Sequence, residues 1–213
     1  MPRYGFNFLW MYVWHPEARP QPPDEHALDF MAAFGFDFVR IPTDYRFWTR
    51  DFAYFQPDES VFAYFDRYLD ACRARGFHMS LNLHRAPGYC INRNDLERHN
   101  LWKDQVAQDA FVFIWETLAR RYRGVPGELL SFDLLNEPPN VGQYGLTRAQ
   151  HAALIRRAVA AIRAIDPARD RDRRAGWRAP GDAGAGRPGR DSQRPRLSAD
   201  AGESPSRDVV VRP

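Results

Sequence analysis

The hydrophobic and polar positions of this chain alternate between short runs typical of strands and longer runs typical of helices. The spacing predicts strands at residues 4–9, 36–41, 77–83 and 129–135, and helices at 25–34, 60–75, 104–122 and 147–165. Each predicted strand is followed by a helix, so the chain contains four βα units in series. Strands that alternate with helices are typical of a parallel sheet with right-handed crossovers.

The lengths of the connecting loops narrow this choice. Links from a helix to the next strand are short, as at Phe34-Gly35, Arg75-Gly76 and 123–127. Links from a strand to the next helix are long and span residues 10–24, 42–59, 84–103 and 136–146. Long loops on one face are typical of the functional end of a barrel. We therefore predict an α/β fold over residues 1–166, a truncated (β/α)8 TIM barrel of about four βα units.

Residue alternation within the strands predicts which side chains point into such a barrel. Residues 77–84 alternate strictly between apolar and polar, which places four side chains on the inward face: His78, Ser80, Asn82 and His84. By the same period Arg40 lies near the end of the second strand. That strand is predicted to stop at Pro42, because proline cannot donate to a central ladder.

The fourth strand is an apolar run that ends abruptly in Asn136-Glu137-Pro138. A carboxylate at the end of a strand buried on both faces is where a barrel enzyme would hold a general acid. A lone strand-end glutamate is, however, more often a capping or salt-bridged residue. Glu137 needs further context before a catalytic role follows.

That context comes from three segments in register on strands two, three and four. Val39-Arg40-Ile41-Pro42, Leu83 to Tyr89 and Phe132 to Pro138 resemble three successive motifs of the cellulase-like glycoside hydrolases of family 5. The resemblance covers roughly residues 1–166. It implies a retaining β-glycosidase that hydrolyses O-glycosyl bonds in β-glucans or β-glycosides.

The resemblance also implies roles for individual residues. Glu137 would be the acid/base, and Asn136 would bind the sugar 2-hydroxyl. Arg40 would orient the carboxylate nucleophile, and His84 would line the cleavage subsite. Several aromatic residues on or beside the long loops could stack on sugar rings: Tyr45 and Trp48, together with Trp10, Trp14 and Trp102.

Simpler alternatives stay open for these residues. His84 could be a satisfied core histidine, and Arg40 could pair with Asp37 or Asp44. For each aromatic residue, packing in the core is favoured over sugar stacking by roughly two to one.

The composition changes after Asp166, where a fifth strand is due. Residues 167–213 contain eleven Arg, no Lys, and Gly, Pro and Ser without periodicity. This composition predicts a disordered tail. The tail is alternatively out of frame, because codons that encode residues 169–177 can, when read one base later, encode a Val/Ile-rich strand. In the family the nucleophile is a second glutamate after strand seven. The nucleophile is therefore expected to be absent, leaving little or no glycosidase activity and at most weak carbohydrate binding.

Charge and cysteine content bear on partners and cofactors. Eleven of the 30 basic and seven of the 27 acidic residues lie in the tail, which leaves the body with a net charge of about −1. We expect a carbohydrate substrate, no nucleic-acid or membrane partner, and self-association through open sheet edges. Cys72 and Cys90 form no metal-binding pattern and are expected to pack in the core; no cofactor is expected. The N-terminal segment lacks the features of a signal peptide, so a cytoplasmic location is expected unless the true start lies upstream and directs secretion.

Overall fold

Four parallel strands form one sheet in chain order in the computed structural model, which describes residues 3–12 and 19–171. The strands are β1 (Gly5–Asn7), β2 (Phe38–Asp44), β3 (His78–Arg85) and β4 (Leu130–Asp133). Gly5 lies opposite Phe38, which lies opposite His78, and Met79 lies opposite Leu130. This parallel order confirms the predicted α/β fold.

A helix follows each strand: α1 (Glu25–Ala33), α2 (Glu59–Ala74), α3 (Gln105–Arg121) and α4 (Arg148–Ile165). Side chains just before the helices accept from first-turn amides and so fix where three of them begin. Asp24 accepts from Ala27, Asp58 from Ser60, and Thr147 forms a capping box with Gln150.

The core lies between the sheet and the helices. Val39, Ile41, Met79 and Leu81 cover the helix side of the central strands and are almost fully buried. Trp115 on α3 and a group of aromatic side chains on α2 pack against this face: Phe62, Phe65 and Tyr68. The long loops after the strands therefore stand on a rigid layer, which is what a site at the carboxyl ends of the strands requires.

The prediction that β2 stops at Pro42 was wrong, because the strand continues to Asp44. The backbone carbonyl of Arg40 accepts from the amide of Phe8, and the amide of Asp44 donates to the carbonyl of Met11. The backbone groups of every second residue of β2, including Pro42, therefore point toward the first strand. Pro42 lies past Asn7, where β1 ends, so no β1 residue needs its N–H. Its missing N–H leaves the ladder to β3 intact.

The chain after α4 continues as a 3-10 turn over Pro167–Arg171. The first five residues that the sequence assigns to the tail thus form a turn, and Arg169 on it bonds to the carbonyls of Leu130 and Tyr122. The rest of the predicted tail, residues 172–213, lies outside the described residues. Over the described ranges, no helix is long and apolar enough to cross a membrane.

Candidate active site

Arg40 is the centre of a polar cluster at the carboxyl ends of the strands. Its Nε and Nη2 donate to Oδ2 of Asp133 at 2.9 and 2.8 Å, and Nη2 also donates to Oδ1 of Asn136 at 2.9 Å. Nη1 donates to Oδ1 of Asn7 at 3.2 Å. Arg40 therefore bonds to side chains from β1 and β4 and pairs with neither Asp37 nor Asp44 in these contacts. One guanidinium joins three strands of the sheet.

Asn136 lies between Arg40 and His84. Its amide Nδ2 is 3.4 Å from Nε2 of His84, and its backbone N–H donates to the carbonyl of Leu83 at 3.1 Å. Asn136 is buried, so these bonds fix the direction of its side chain. The structure thus brings Arg40, Asn136 and His84 together at the carboxyl ends of the strands.

His84 is held in its neutral form. Burial lowers the pKa of His84 from 6.5 to about 4, and the charges of Arg40 and Arg85 act in the same direction. The ring of Tyr12 lies against the imidazole, with the ring centroids 4.0 Å apart. A neutral imidazole can exchange hydrogen bonds with a hydroxyl group without adding a second positive charge beside Arg40.

Glu137 follows directly and has an unusual backbone. Its φ is +38°, in the left-handed region that non-glycine residues rarely adopt. The buried hydroxyl of Tyr89 donates to the Glu137 carbonyl at 2.6 Å and so stabilises this conformation. The Glu137 residue itself is exposed. A strained backbone held by a buried partner is a feature found at functional sites.

A buried ion cluster supports the turn that carries Tyr89. The carboxylate of Glu97, whose side chain is 0% exposed, accepts from Arg85 at 2.6 Å, from the Tyr45 hydroxyl at 2.8 Å and from the Gly88 amide at 3.0 Å. Nε of Arg85 also lies 3.2 Å from Oδ2 of Asp44, which is 1% exposed. The cluster therefore ties the loop after β3 to the end of β2.

The sugar-stacking assignments made from the sequence are not supported by the positions of these aromatic residues. Tyr45 is 1% exposed with its hydroxyl bonded to Glu97, and Trp48 is 2% exposed against Phe62 and Phe65. Neither offers a ring face to solvent, because both fill the space under the loop after β2. Trp10 and Trp102 are also buried, and Trp14 lies outside the described residues.

An exposed aromatic residue nearby was missed. Tyr144, in the loop after β4, is 46% exposed and its ring centroid lies 6.1 Å from that of Tyr89. It therefore lies one side chain away from the residue that holds Glu137. Sequence alone gave no signal for it, because an isolated tyrosine in a polar loop is common.

Asp133 was also missed, although a signal existed. It is the one charged residue in the apolar run from Leu129 to Leu135, and a charge in a buried strand requires a partner. The register that places Asn82 beside Asp133 also brings it within reach of Arg40 on β2.

Both cysteines lie in the core. Cys72 and Cys90 are buried and free, and burial raises the pKa of the Cys72 thiol to about 12. Neither thiol is therefore a candidate nucleophile.

The arrangement can bind a polar ligand at the strand ends through Arg40, Asn136 and neutral His84, and it presents an exposed carboxyl group beside them. These features are what protonation of a glycosidic oxygen requires.

Three known proteins are similar to this chain in sequence or fold. Endoglucanase C of Acetivibrio thermocellus is 36% identical over 145 residues, which is 68% of this chain and 40% of that protein. A solved glycoside hydrolase is 67% identical with a TM-score of 0.78, covering 79% of this chain and 51% of that one. Cel5A of Thermotoga maritima in complex with cellobiose is 25% identical with a TM-score of 0.54, covering 68% of this chain and 42% of that one.

The chain thus spans about half the length of the proteins it matches, and its sheet corresponds to part of their barrels. The family match itself extends over residues 3–171, which includes every strand and helix described above. The chain belongs to the cellulase family, glycosyl hydrolase family 5.

Proposed function

We propose that this chain carries the acid/base half of a retaining β-glycosidase site that acts on β-linked glucans. The observation that carries the proposal is the position of Glu137, exposed at the end of β4 beside Asn136, which is bonded to Arg40 and His84. Family membership and the cellobiose complex of the Thermotoga maritima relative support this substrate class.

In the proposed first step, Glu137 donates its proton to the glycosidic oxygen as the bond to the anomeric carbon breaks, while a carboxylate attacks that carbon from the opposite face. In the second step Glu137 takes a proton from water, which attacks the anomeric carbon and releases the sugar. Asn136 donates to the sugar 2-hydroxyl, and neutral His84 accepts or donates beside it. Arg40 orients the attacking carboxylate and, as a nearby positive charge, holds it ionised.

The second carboxylate is the part of the site that the described residues do not supply. Asp44 and Glu97 are buried and bonded to Arg85, so neither can reach a sugar. Asp133 accepts two bonds from Arg40, and Asp95 is paired with Arg93 on an exposed turn. We infer that the described residues alone bind a β-glucoside without completing its hydrolysis. Weak carbohydrate binding without turnover is thus the second candidate function.

Tyr144 is the residue we propose as a sugar platform, in place of Tyr45 and Trp48. Its exposed ring beside Tyr89 lies on the same loop cluster as Glu137. Substitution Tyr144→Ala should weaken the binding of cellobiose, measured from NMR chemical-shift changes during a titration. The matched control is Phe55→Ala, which removes a ring of similar exposure that packs on Phe113.

A rescue experiment tests the acid/base assignment. Formate added to the chain supplies a carboxylate in place of the missing nucleophile, and release of 4-nitrophenol from 4-nitrophenyl β-cellobioside is followed. We expect formate-dependent release that Glu137→Gln slows by about 100-fold or more. Glu128→Gln, at an exposed glutamate before β4, should leave this release unchanged. Release that is independent of Glu137 contradicts the proposal. Glu137-dependent release without formate would show that the nucleophile lies within the 213 residues.

A further inference from the structure

Two residues in the loop after β4 (residues 134–147) have left-handed backbones although they carry side chains. The φ angle is +38° at Glu137 and +53° at Tyr144. A Cβ atom makes this conformation unfavourable, so it persists only where neighbouring groups hold it. The groups that hold these two residues therefore determine the shape of the loop that carries the proposed acid and the proposed sugar platform.

The loop after β3 (residues 86–104) supplies a hydrogen bond to each of them. The Tyr89 hydroxyl donates to the Glu137 carbonyl at 2.6 Å, and Nδ2 of Asn100 donates to the Tyr144 carbonyl at 2.9 Å. Both bonds end on the carbonyl of the left-handed residue itself, and both come from the neighbouring βα unit. The loop after β3 therefore fixes two backbone positions in the loop after β4.

The side-chain amide of Asn100 has a fixed orientation. Its Oδ1 accepts from the backbone N–H of Trp102 at 2.9 Å, and the backbone N–H of Asn100 donates to Oδ2 of Asp104 at 2.7 Å. Because a backbone N–H can bond only to the oxygen of this side chain, Nδ2 has to be the atom that faces Tyr144. Asn100 is thus a donor whose direction is set by bonds within its own loop.

Further contacts join the two loops around Tyr144. Nε2 of Gln150, in the first turn of α4, donates to the carbonyl of Trp102 at 3.1 Å. The centroid of the Tyr89 ring lies 5.4 Å from that of Trp102 and 6.1 Å from that of Tyr144. Tyr89 and Trp102 are both buried and so are held in place by the core. Loss of the Asn100 bond would therefore move Tyr144 against surroundings that stay where they are.

We propose that Asn100 is a positioning residue, whose amide holds the Tyr144 backbone in the left-handed conformation that sets its ring beside Tyr89. Without this donor the Tyr144 backbone can relax to a conformation that residues with a Cβ atom prefer. Its Cα–Cβ bond then turns and takes the ring away from Tyr89. Asn100 thereby acts on sugar binding through Tyr144, a step that rests on the proposed function of Tyr144 as a sugar platform.

The backbone chemical shifts of Tyr144 test this contact without any sugar. Substitution Asn100→Asp keeps an oxygen for the Trp102 amide but replaces the donor to Tyr144 with an acceptor, and Asn100→Ala removes the donor without adding charge. In both variants of the full chain, we expect the Cα and Cβ shifts of Tyr144 to leave the range of a left-handed residue. The control is Asn94→Asp, in the same loop, where Oδ1 likewise accepts a backbone amide, that of Cys90. It should leave the Tyr144 shifts unchanged.

Three results of this NMR experiment would overturn the proposal. The first is a set of Tyr144 shifts that neither Asn100 variant changes. The second is a change in Asn100→Asp alone, because the added charge and not the lost donor would then be its cause. The third is an equal change in the control Asn94→Asp.

Cellobiose titrations test the step from Tyr144 to the sugar. We expect Asn100→Asp to weaken binding about 3- to 10-fold, the range for loss of one hydrogen bond, and Tyr144→Ala to weaken it at least as much. The double variant should bind as weakly as Tyr144→Ala alone, because Asn100 has no effect once the ring is absent.

The outcomes of the titration separate this proposal from the sugar-platform proposal. Unchanged binding by Asn100→Asp, while Tyr144→Ala weakens it, would overturn the role of Asn100, as would additional weakening in the double variant. If Tyr144→Ala leaves binding unchanged, the sugar platform is wrong, and the chemical shifts still decide whether Asn100 holds Tyr144.

Discussion

Removal of the Glu97 carboxylate should destabilise the whole loop platform on which the site stands. The side chain is 0% exposed and accepts from Arg85, Tyr45 and Gly88. Substitution Glu97→Ala leaves these three donors without their acceptor and Arg85 with one buried counter-charge, Asp44. Breaking a buried ion pair on one side costs about 3–5 kcal/mol, because the surviving charge stays in a poorly solvated place.

That cost is large beside the total stability of a domain, which is about 5–15 kcal/mol. Glu97→Gln is a milder change, since the amide oxygen can still accept one or two of the bonds. We expect about 1.5–3 kcal/mol for it, the range for loss of a hydrogen bond to a charged group. The graded pair of variants keeps the measurement informative even if Glu97→Ala does not fold.

Urea unfolding followed by tryptophan fluorescence measures both effects, because two buried tryptophans adjoin residues of this platform. Trp48 ends the turn that carries Tyr45, and the ring centroid of Trp102 lies 5.4 Å from that of Tyr89. Asp95→Ala is the matched control, two residues away in the same loop, where the carboxylate pairs with exposed Arg93. It should leave the unfolding midpoint unchanged. Equal shifts for Glu97→Ala and Asp95→Ala would refute the reasoning, since burial could then not be the source of the difference.

Three other predictions concern the residues around Glu137. Tyr89→Phe should lower the free energy of unfolding by about 1–2 kcal/mol, because the Glu137 carbonyl loses its 2.6 Å donor. Glu137→Gly should raise the melting temperature, because glycine adopts the left-handed conformation without the cost of about 1 kcal/mol that a side chain brings. An unchanged or lower melting temperature would show that the backbone of Glu137 is not strained. His84 should titrate near pH 4 by NMR. The unfolded chain binds this proton near pH 6.5, so stability should fall as the pH drops from about 6.5 to 4, and His84→Gln should flatten that slope.

The fold was predictable because it rests on local patterns. Helix and strand periods differ clearly along the chain, and the short turns between a helix and the next strand contain glycines that the structure places at positive φ, as at Gly35 and Gly76. Arg40, Asn136 and His84 could be brought together because the carboxyl ends of parallel strands meet at one edge. Each of these inferences needs only sequence order and strand period.

The parts that failed depend on packing between distant segments. Tyr45 and Trp48 lie in a loop whose path was unknown, and only the fold shows that this loop turns them inward. The Glu97 cluster joins the ends of β2 and β3 with residues of the two loops that follow them, and no periodicity connects these residues. Arg169 was assigned to a tail by composition, yet its guanidinium bonds to Leu130 on β4. Long-range contacts of this kind leave little trace in a single sequence.

The leaving-group dependence of the formate-rescued reaction tests the central claim most directly. A general acid matters for a leaving group that must be protonated, and contributes about 100-fold or more. We expect Glu137→Gln to slow cleavage of 4-nitrophenyl β-cellobioside by that factor while leaving cleavage of the 2,4-dinitrophenyl analogue, whose leaving group needs no proton, nearly unchanged. Equal slowing of both substrates, or of neither, would contradict the assignment of Glu137 as the acid.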